Sequence, residues 1–306
     1  MPGLRHGAEG PAVLHAAVGG RAKVSHAAPG ACHPRAMTTT GPLALHRHGP
    51  AAGLPLVLLH GFPLDARMWD DVVARLSDLP VITLDAPGFG DSPAPDEVAA
   101  AVGRDPAPSL ETSADAVAAT LRAAGVERAV VAGLSMGGYV TLALAERHRG
   151  LLAAVGLLDT NAEEDTEEAR ATRLRVAEEA ERTGADAVAG MVDSVLGETT
   201  LAERPDVVAR MRGWIGEAPA EGIAWTQRAM AARPARMSAL EDLEVPGLVL
   251  RGAEDSRSPQ ASAERMARAL GGAAELVVVP RVGHMSAVED PDAVADALRR
   301  LHASVA

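Results

Sequence analysis

Short apolar runs that stop abruptly at a glycine, aspartate or proline recur along this chain and constrain its fold more than any other feature. Leu54–His60 stops at Gly61, Val81–Leu84 at Asp85, Ala129–Ala132 at Gly133 and Ala153–Leu158 at Asp159, with further runs at Val245–Leu250 and Leu276–Val279. Runs this short and this continuously apolar suit strands buried on both faces of a parallel sheet. Segments of helical period separate them, over 66–77, 113–124, 137–147, 260–270 and 291–302. Strands alternating with helices imply βαβ units, and so an α/β fold with a mostly parallel central sheet flanked by helices.

One interval breaks the alternation. Residues 161–236 contain no strand-like run, and four stretches of helical period fill them, at 163–182, 185–196, 205–214 and 220–232. Residues 37–160 and 237–306 are therefore expected to form the core, and 161–236 a helical lid inserted before the last two strands, where ligands of parallel sheets bind. The acidic run Glu163–Glu168 reads as a helix N-terminus favoured by the macrodipole.

The first 36 residues differ from the rest. They hold one acid, Glu9, against Arg5, Arg21, Lys23 and Arg35, and they lack any helical or strand period, so they read as a disordered tail. His15 and Gly19-Gly20 interrupt the only stretch resembling a secretory signal, and Met37 reads as an alternative start.

Composition narrows the function. A formal charge of −12 argues against nucleic acid as a partner. A single cysteine, Cys32, builds neither an intramolecular disulfide nor a thiolate metal site, and no apolar run reaches the roughly 18 residues that span a bilayer. The expectation is a cytoplasmic protein with no membrane partner, no metal and no cofactor.

The chemistry centres on Gly133-Leu134-Ser135-Met136-Gly137, a G-x-S-x-G placed between a strand and a helix. A serine on so sharp a turn takes strained backbone angles, and glycines two positions away keep Cβ atoms out of the turn. The Ser135 hydroxyl is thereby presented above the sheet, and it needs an imidazole to take its proton. Of the downstream histidines, His148 and His302 fall within helices, whereas His284 sits in the loop after the final strand. The carboxylate that orients it is assigned to Asp255, after the penultimate strand; Asp159 competes from the preceding strand end, and Glu254 ranks behind both. Oxyanion donors are expected from the backbone N–H of Met136 and, in the loop after the first long strand, of Phe62. His60 either braces that loop or is a plain buried histidine.

Taken together, His60-Gly61-Phe62, Asp85 to Ser92, Gly133 to Gly138, Gly252 to Asp255 and Gly283-His284 resemble the α/β-hydrolase superfamily in order and spacing. Within it the chain resembles the lidded esterase, lactonase and cofactor-free perhydrolase group, and Gly-Leu-Ser-Met-Gly-Gly-Tyr-Val is similar to 3-oxoadipate enol-lactonases. Serine at 135 departs from haloalkane dehalogenases and epoxide hydrolases, which carry aspartate there. The resemblance implies a serine hydrolase acting on small-molecule carboxylic esters or lactones. The alternatives are a cofactor-free perhydrolase (haloperoxidase) or C–C bond hydrolase on the same three residues, or a non-catalytic ligand-binding protein. Met191, Leu196, Trp214, Trp225 and Met230 are candidate pocket residues in the lid, and the net negative charge favours neutral esters over dianionic ones.

Overall fold

The six apolar runs become strands of one eight-stranded sheet in the structure, a computed structural model that describes residues 36–38, 41–271 and 274–306. The strands are β1 (Ala36–Thr38), β2 (Leu45–His48), β3 (Leu56–Leu59), β4 (Val81–Leu84), β5 (Ala129–Leu134), β6 (Leu152–Leu158), β7 (Gly247–Gly252) and β8 (Ala274–Val279). Their order across the sheet is β1-β2-β4-β3-β5-β6-β7-β8. Only the pairings of β2 with β1 and with β4 are antiparallel; all others are parallel.

Every residue of β3, β4, β5, β6 and β7 is buried, which is why these segments read as unbroken apolar runs. β8 is different, because an edge strand has a solvent side, and Leu276 and Val278 are exposed on it. β2 carries no apolar run to announce it, since three of its four residues, His46, Arg47 and His48, are polar. The expected tail, 1–36, lies outside the described residues apart from Ala36, which opens β1 opposite Arg47. Among the described residues no helix is long and apolar enough to cross a membrane.

Parallel register sets up the functional edge. Leu59 pairs with Gly133, Leu134 with Leu158, Leu158 with Leu250 and Gly252 with Val279. The loops after β3, β5, β6, β7 and β8 therefore leave the sheet side by side at its carboxyl edge, where open α/β sheets bind ligands.

Between β6 and β7 the chain is helical, as its period predicts, with the main helices at Glu167–Thr183, Pro205–Gly216 and Ala220–Ala231. The stretch expected as one helix over 185–196 is instead a 3-10 segment, Gly184–Met191, followed by a single turn, Val192–Val195. The first long helix starts later than its acidic run suggests: the Thr166 hydroxyl accepts the Ala169 N–H and caps it. Glu167 and Glu168 lie in its first turn, while Asp165, just outside, pairs with Arg173 and Arg233.

Candidate active site

The turn between β5 and the helix Met136–Arg147 holds Ser135 at φ 52°, ψ −109°, a left-handed conformation that costs a non-glycine residue about 1–3 kcal/mol. Its neighbours make the turn possible. A Cβ on Gly133 would overlap the Gly137 backbone, and one on Gly137 would overlap the Leu59 carbonyl. The Ser135 N–H donates to Leu158 O at 2.8 Å, fixing the turn to the end of β6.

His284 and Asp255 meet this serine from two other loops. Ser135 Oγ lies 2.8 Å from His284 Nε2, and His284 Nδ1 lies 2.9 Å from Asp255 Oδ2. The second Asp255 oxygen accepts the N–H groups of Arg257 and Ser258. Burial pushes the Asp255 carboxyl up, but the hydrogen bond and charge of His284, with these two N–H groups, hold it below its usual value. An ionised Asp255 fixes the proton on Nδ1 and leaves the Nε2 lone pair facing the serine hydroxyl.

Asp159, the competing acid, is placed elsewhere. It is fully buried at φ 45° just after β6, and its oxygens accept the N–H groups of Gly252 and Ser286. Burial, and then the charge of Asp255, push its carboxyl well above the usual range. Two neighbouring carboxyls are thus driven apart, one toward the ionised form and one toward the protonated form. Asp159 clips the loop carrying Asp255 to the loop carrying His284.

Of the two expected oxyanion donors, Met136 is the first residue of its helix, so its N–H has no intrahelical acceptor. The Phe62 N–H has no acceptor among the described residues, and Phe62 lines the same cavity as Ser135 and His284. His60 braces this loop: its Nε2 accepts the Ala86 N–H at 2.9 Å, which leaves Nδ1–H to donate to Gly61 O. Nearby, His46, Asp85 and Asp91 bring potential metal ligands within 4.8 Å of one another. The Asp85 carboxylate is already taken by His46 Nε2–H and by the N–H groups of Ala66 and Asp91, the pattern of a hydrogen-bonded turn.

Two glutamates tie the helical insertion to the site, and sequence reading missed both roles. Glu289, buried, accepts the N–H groups of Gly197, Gly283 and Met285 and the Thr200 hydroxyl, so it grips the residues on either side of His284 together with the insertion. Glu254 accepts the Thr199 N–H and hydroxyl, which is its task instead of orienting His284. The His284 N–H itself donates to Val195 O at 2.9 Å. The only signal for Glu289 in the sequence is its position five residues after His284. Glu289→Gln turns an amide N–H toward donors and is expected to destabilise the fold by about 2–3 kcal/mol, read from denaturant unfolding; an unchanged midpoint contradicts this role.

A cavity of about 560 Å³ opens at Ser135 and His284 and is walled largely by the insertion. Of the five candidate pocket residues, Met191 and Met230 line it. Leu196 and Trp225 are buried in the core instead, and Trp214 packs against that core with the Arg210 guanidinium over its ring. Apolar period identifies a buried helix face but does not distinguish a face against protein from one against a cavity. Removing the Trp225 side chain is accordingly expected to cost about 3–5 kcal/mol of stability, read from unfolding, whereas Met191 faces the cavity.

The alpha/beta hydrolase family model matches residues 56–297. Among solved structures, a thermophilic esterase from Thermogutta terrifontis, with malate bound, is 37% identical with a TM-score of 0.79, over 89% of this chain and 99% of that one. The enol-lactonase from Burkholderia xenovorans LB400 is 26% identical with a TM-score of 0.75, over 87% and 98%. The 2-succinyl-6-hydroxy-2,4-cyclohexadiene-1-carboxylate synthase of Enterobacter sp. (strain 638) is 30% identical over 260 residues, 81% of this chain and 92% of that protein.

Proposed function

Because this chain belongs to the alpha/beta hydrolase family, we propose that it hydrolyses carboxylic esters or lactones of small molecules through an acyl-enzyme on Ser135. The observation that carries this reading is the unbroken hydrogen-bonded line from Asp255 through His284 to a serine hydroxyl that faces a cavity. His284 Nε2 takes the Ser135 proton as Oγ attacks the acyl carbon, and the N–H groups of Phe62 and Met136 receive the developing oxyanion. His284 then gives that proton to the leaving alkoxide. Water, deprotonated by the same imidazole, cleaves the acyl-enzyme. Asp255 stabilises the imidazolium in both halves.

An esterase at 37% identity and an enol-lactonase at 26% are the relatives that support acyl transfer to water. Residues 161–236 act in this reading as a lid: their side chains wall the cavity and keep bulk water from the acyl-enzyme. Turnover of short p-nitrophenyl esters tests the proposal, and absence of turnover across an ester and lactone library overturns it. Met191→Ala enlarges the cavity and is expected to shift relative kcat/KM toward bulkier acyl groups by roughly 1–3 kcal/mol; constant ratios across acyl lengths contradict the lid assignment.

A further inference from the structure

The cavity wall is not uniformly apolar. Beside Val176, Val188 and Met191 it includes the Arg173 guanidinium, on the long helix Glu167–Thr183 that the insertion lays over the site. Arg173 Nε bonds Asp165 Oδ2 at 2.5 Å. The other oxygen of the same carboxylate is taken by Arg233 Nη2 at 2.7 Å, and Arg233 is itself buried with its guanidinium 4.1 Å over the Tyr139 ring. One carboxylate thus serves two guanidiniums, leaving an uncompensated positive charge in a wall where Arg173 is 17% exposed and Asp165 7%.

Arg173 is also short of hydrogen bonds. Its Nη1 reaches Gln227 Oε1 at 3.4 Å, longer than an N–H···O bond of about 2.7–3.2 Å, and otherwise meets only the weak acceptor Met230 Sδ. Its Nη2 has no partner among the described residues. Gln227, Met230 and Asp165 all line the same cavity as Ser135 and His284. The other charges on this wall are Glu168 and Arg257, both exposed, with the Arg257 guanidinium 3.4 Å from the Ser194 hydroxyl. The charges that line the cavity balance, Arg173 and Arg257 against Asp165 and Glu168, but the buried Arg233 behind the wall leaves Arg173 with a carboxylate it must share.

We propose that Arg173 anchors a carboxylate on the acyl part of the substrate, so that the preferred substrates are half-esters of dicarboxylic acids, or lactones bearing a free carboxylate. This deepens the ester-hydrolase reading and rests on it. A carboxylate oxygen fits the unpartnered Nη2, and its second oxygen can take over Nη1 from the long contact to Gln227 as a bidentate pair. The reaction is otherwise unchanged: the ester C–O bond breaks as the Ser135 Oγ–acyl bond forms, the alcohol leaves with the Ser135 proton, and water releases the dicarboxylate with one proton.

The test compares monomethyl and dimethyl esters of succinate, glutarate and adipate, with the free dicarboxylates as competitive inhibitors of p-nitrophenyl acetate hydrolysis. The expected result is at least a tenfold higher kcat/KM for one of the monoanionic half-esters than for its dimethyl ester. That ratio should fall with added NaCl, collapse in Arg173→Gln and partly survive in Arg173→Lys, with weaker dicarboxylate inhibition tracking it. Folding of each variant is checked by its melting temperature, and the Lys variant preserves the test if the Gln variant does not fold. Hydrolysis of both ester types at ratios near one, together with no inhibition by any dicarboxylate, overturns the anchor and leaves the hydrolase reading standing. A larger loss of preference in Arg257→Gln than in both Arg173 variants also overturns it. No turnover of any ester and no labelling of Ser135 by a fluorophosphonate overturns the hydrolase reading, and the anchor with it.

Discussion

Ser135→Ala is expected to lower kcat for p-nitrophenyl acetate and butyrate by about 10⁴-fold or more, and by the same factor for each acyl chain. The effect is large because the side chain is the nucleophile in this reading: Ser135 bears a positive φ, and its Oγ is bonded to His284 Nε2. Alanine keeps the turn and the cavity, so KM should change far less than kcat and the fold should be at least as stable, since the strain is inherent in the backbone. Steady-state kinetics with a melting curve reads both. Activity within tenfold of the unsubstituted protein removes Ser135 from the chemistry.

Asp255→Asn is expected to lower kcat by about 10⁴-fold, because an amide that donates to Nδ1 turns the His284 lone pair away from the serine. Asp159→Asn is expected to change kcat by less than about tenfold. Its carboxyl is pushed up by burial and by the charge of Asp255 and bonds the backbone N–H groups of Gly252 and Ser286 rather than His284, so an amide, which sets its NH2 against one of these donors, acts on stability more than on kcat. Asparagine also tolerates the positive φ at this position. Asp159→Ala removes the acceptor for the Gly252 and Ser286 N–H groups and should lower stability by about 1–3 kcal/mol for each buried donor left unpaired. Comparable kinetics in Asp255→Asn and the unsubstituted protein, with collapse in Asp159→Asn, transfers the acid role to Asp159.

The residues that sequence reasoning located best are those whose geometry is local. Ser135 sits in a turn that only glycines at 133 and 137 permit, and His284 follows directly on the last strand, so strand order alone brings it to the carboxyl edge. The choice between Asp255 and Asp159 was less legible, because both follow strands that end at this edge; hydrogen bonds from Gly252 and Ser286 distinguish them, and those are tertiary. Glu289 and Arg173 were invisible for the same reason. A glutamate accepting four donors from two segments and an arginine sharing a carboxylate with another arginine leave no period in the sequence. Among the strands, β2 escaped notice because pairing, not burial of both faces, holds it in the sheet, and its histidines bond Asp85 and Thr83 across to β4 and its end.

The most direct measurement of the central claim is covalent labelling of the full chain with a fluorophosphonate, followed by intact mass and peptide mapping. A serine activated by His284 attacks the phosphorus and expels fluoride, and the account predicts one adduct per chain, located on Ser135, absent from Ser135→Ala and strongly slowed in His284→Ala. No adduct on Ser135 in the folded protein, or one that forms as fast without His284, would contradict it.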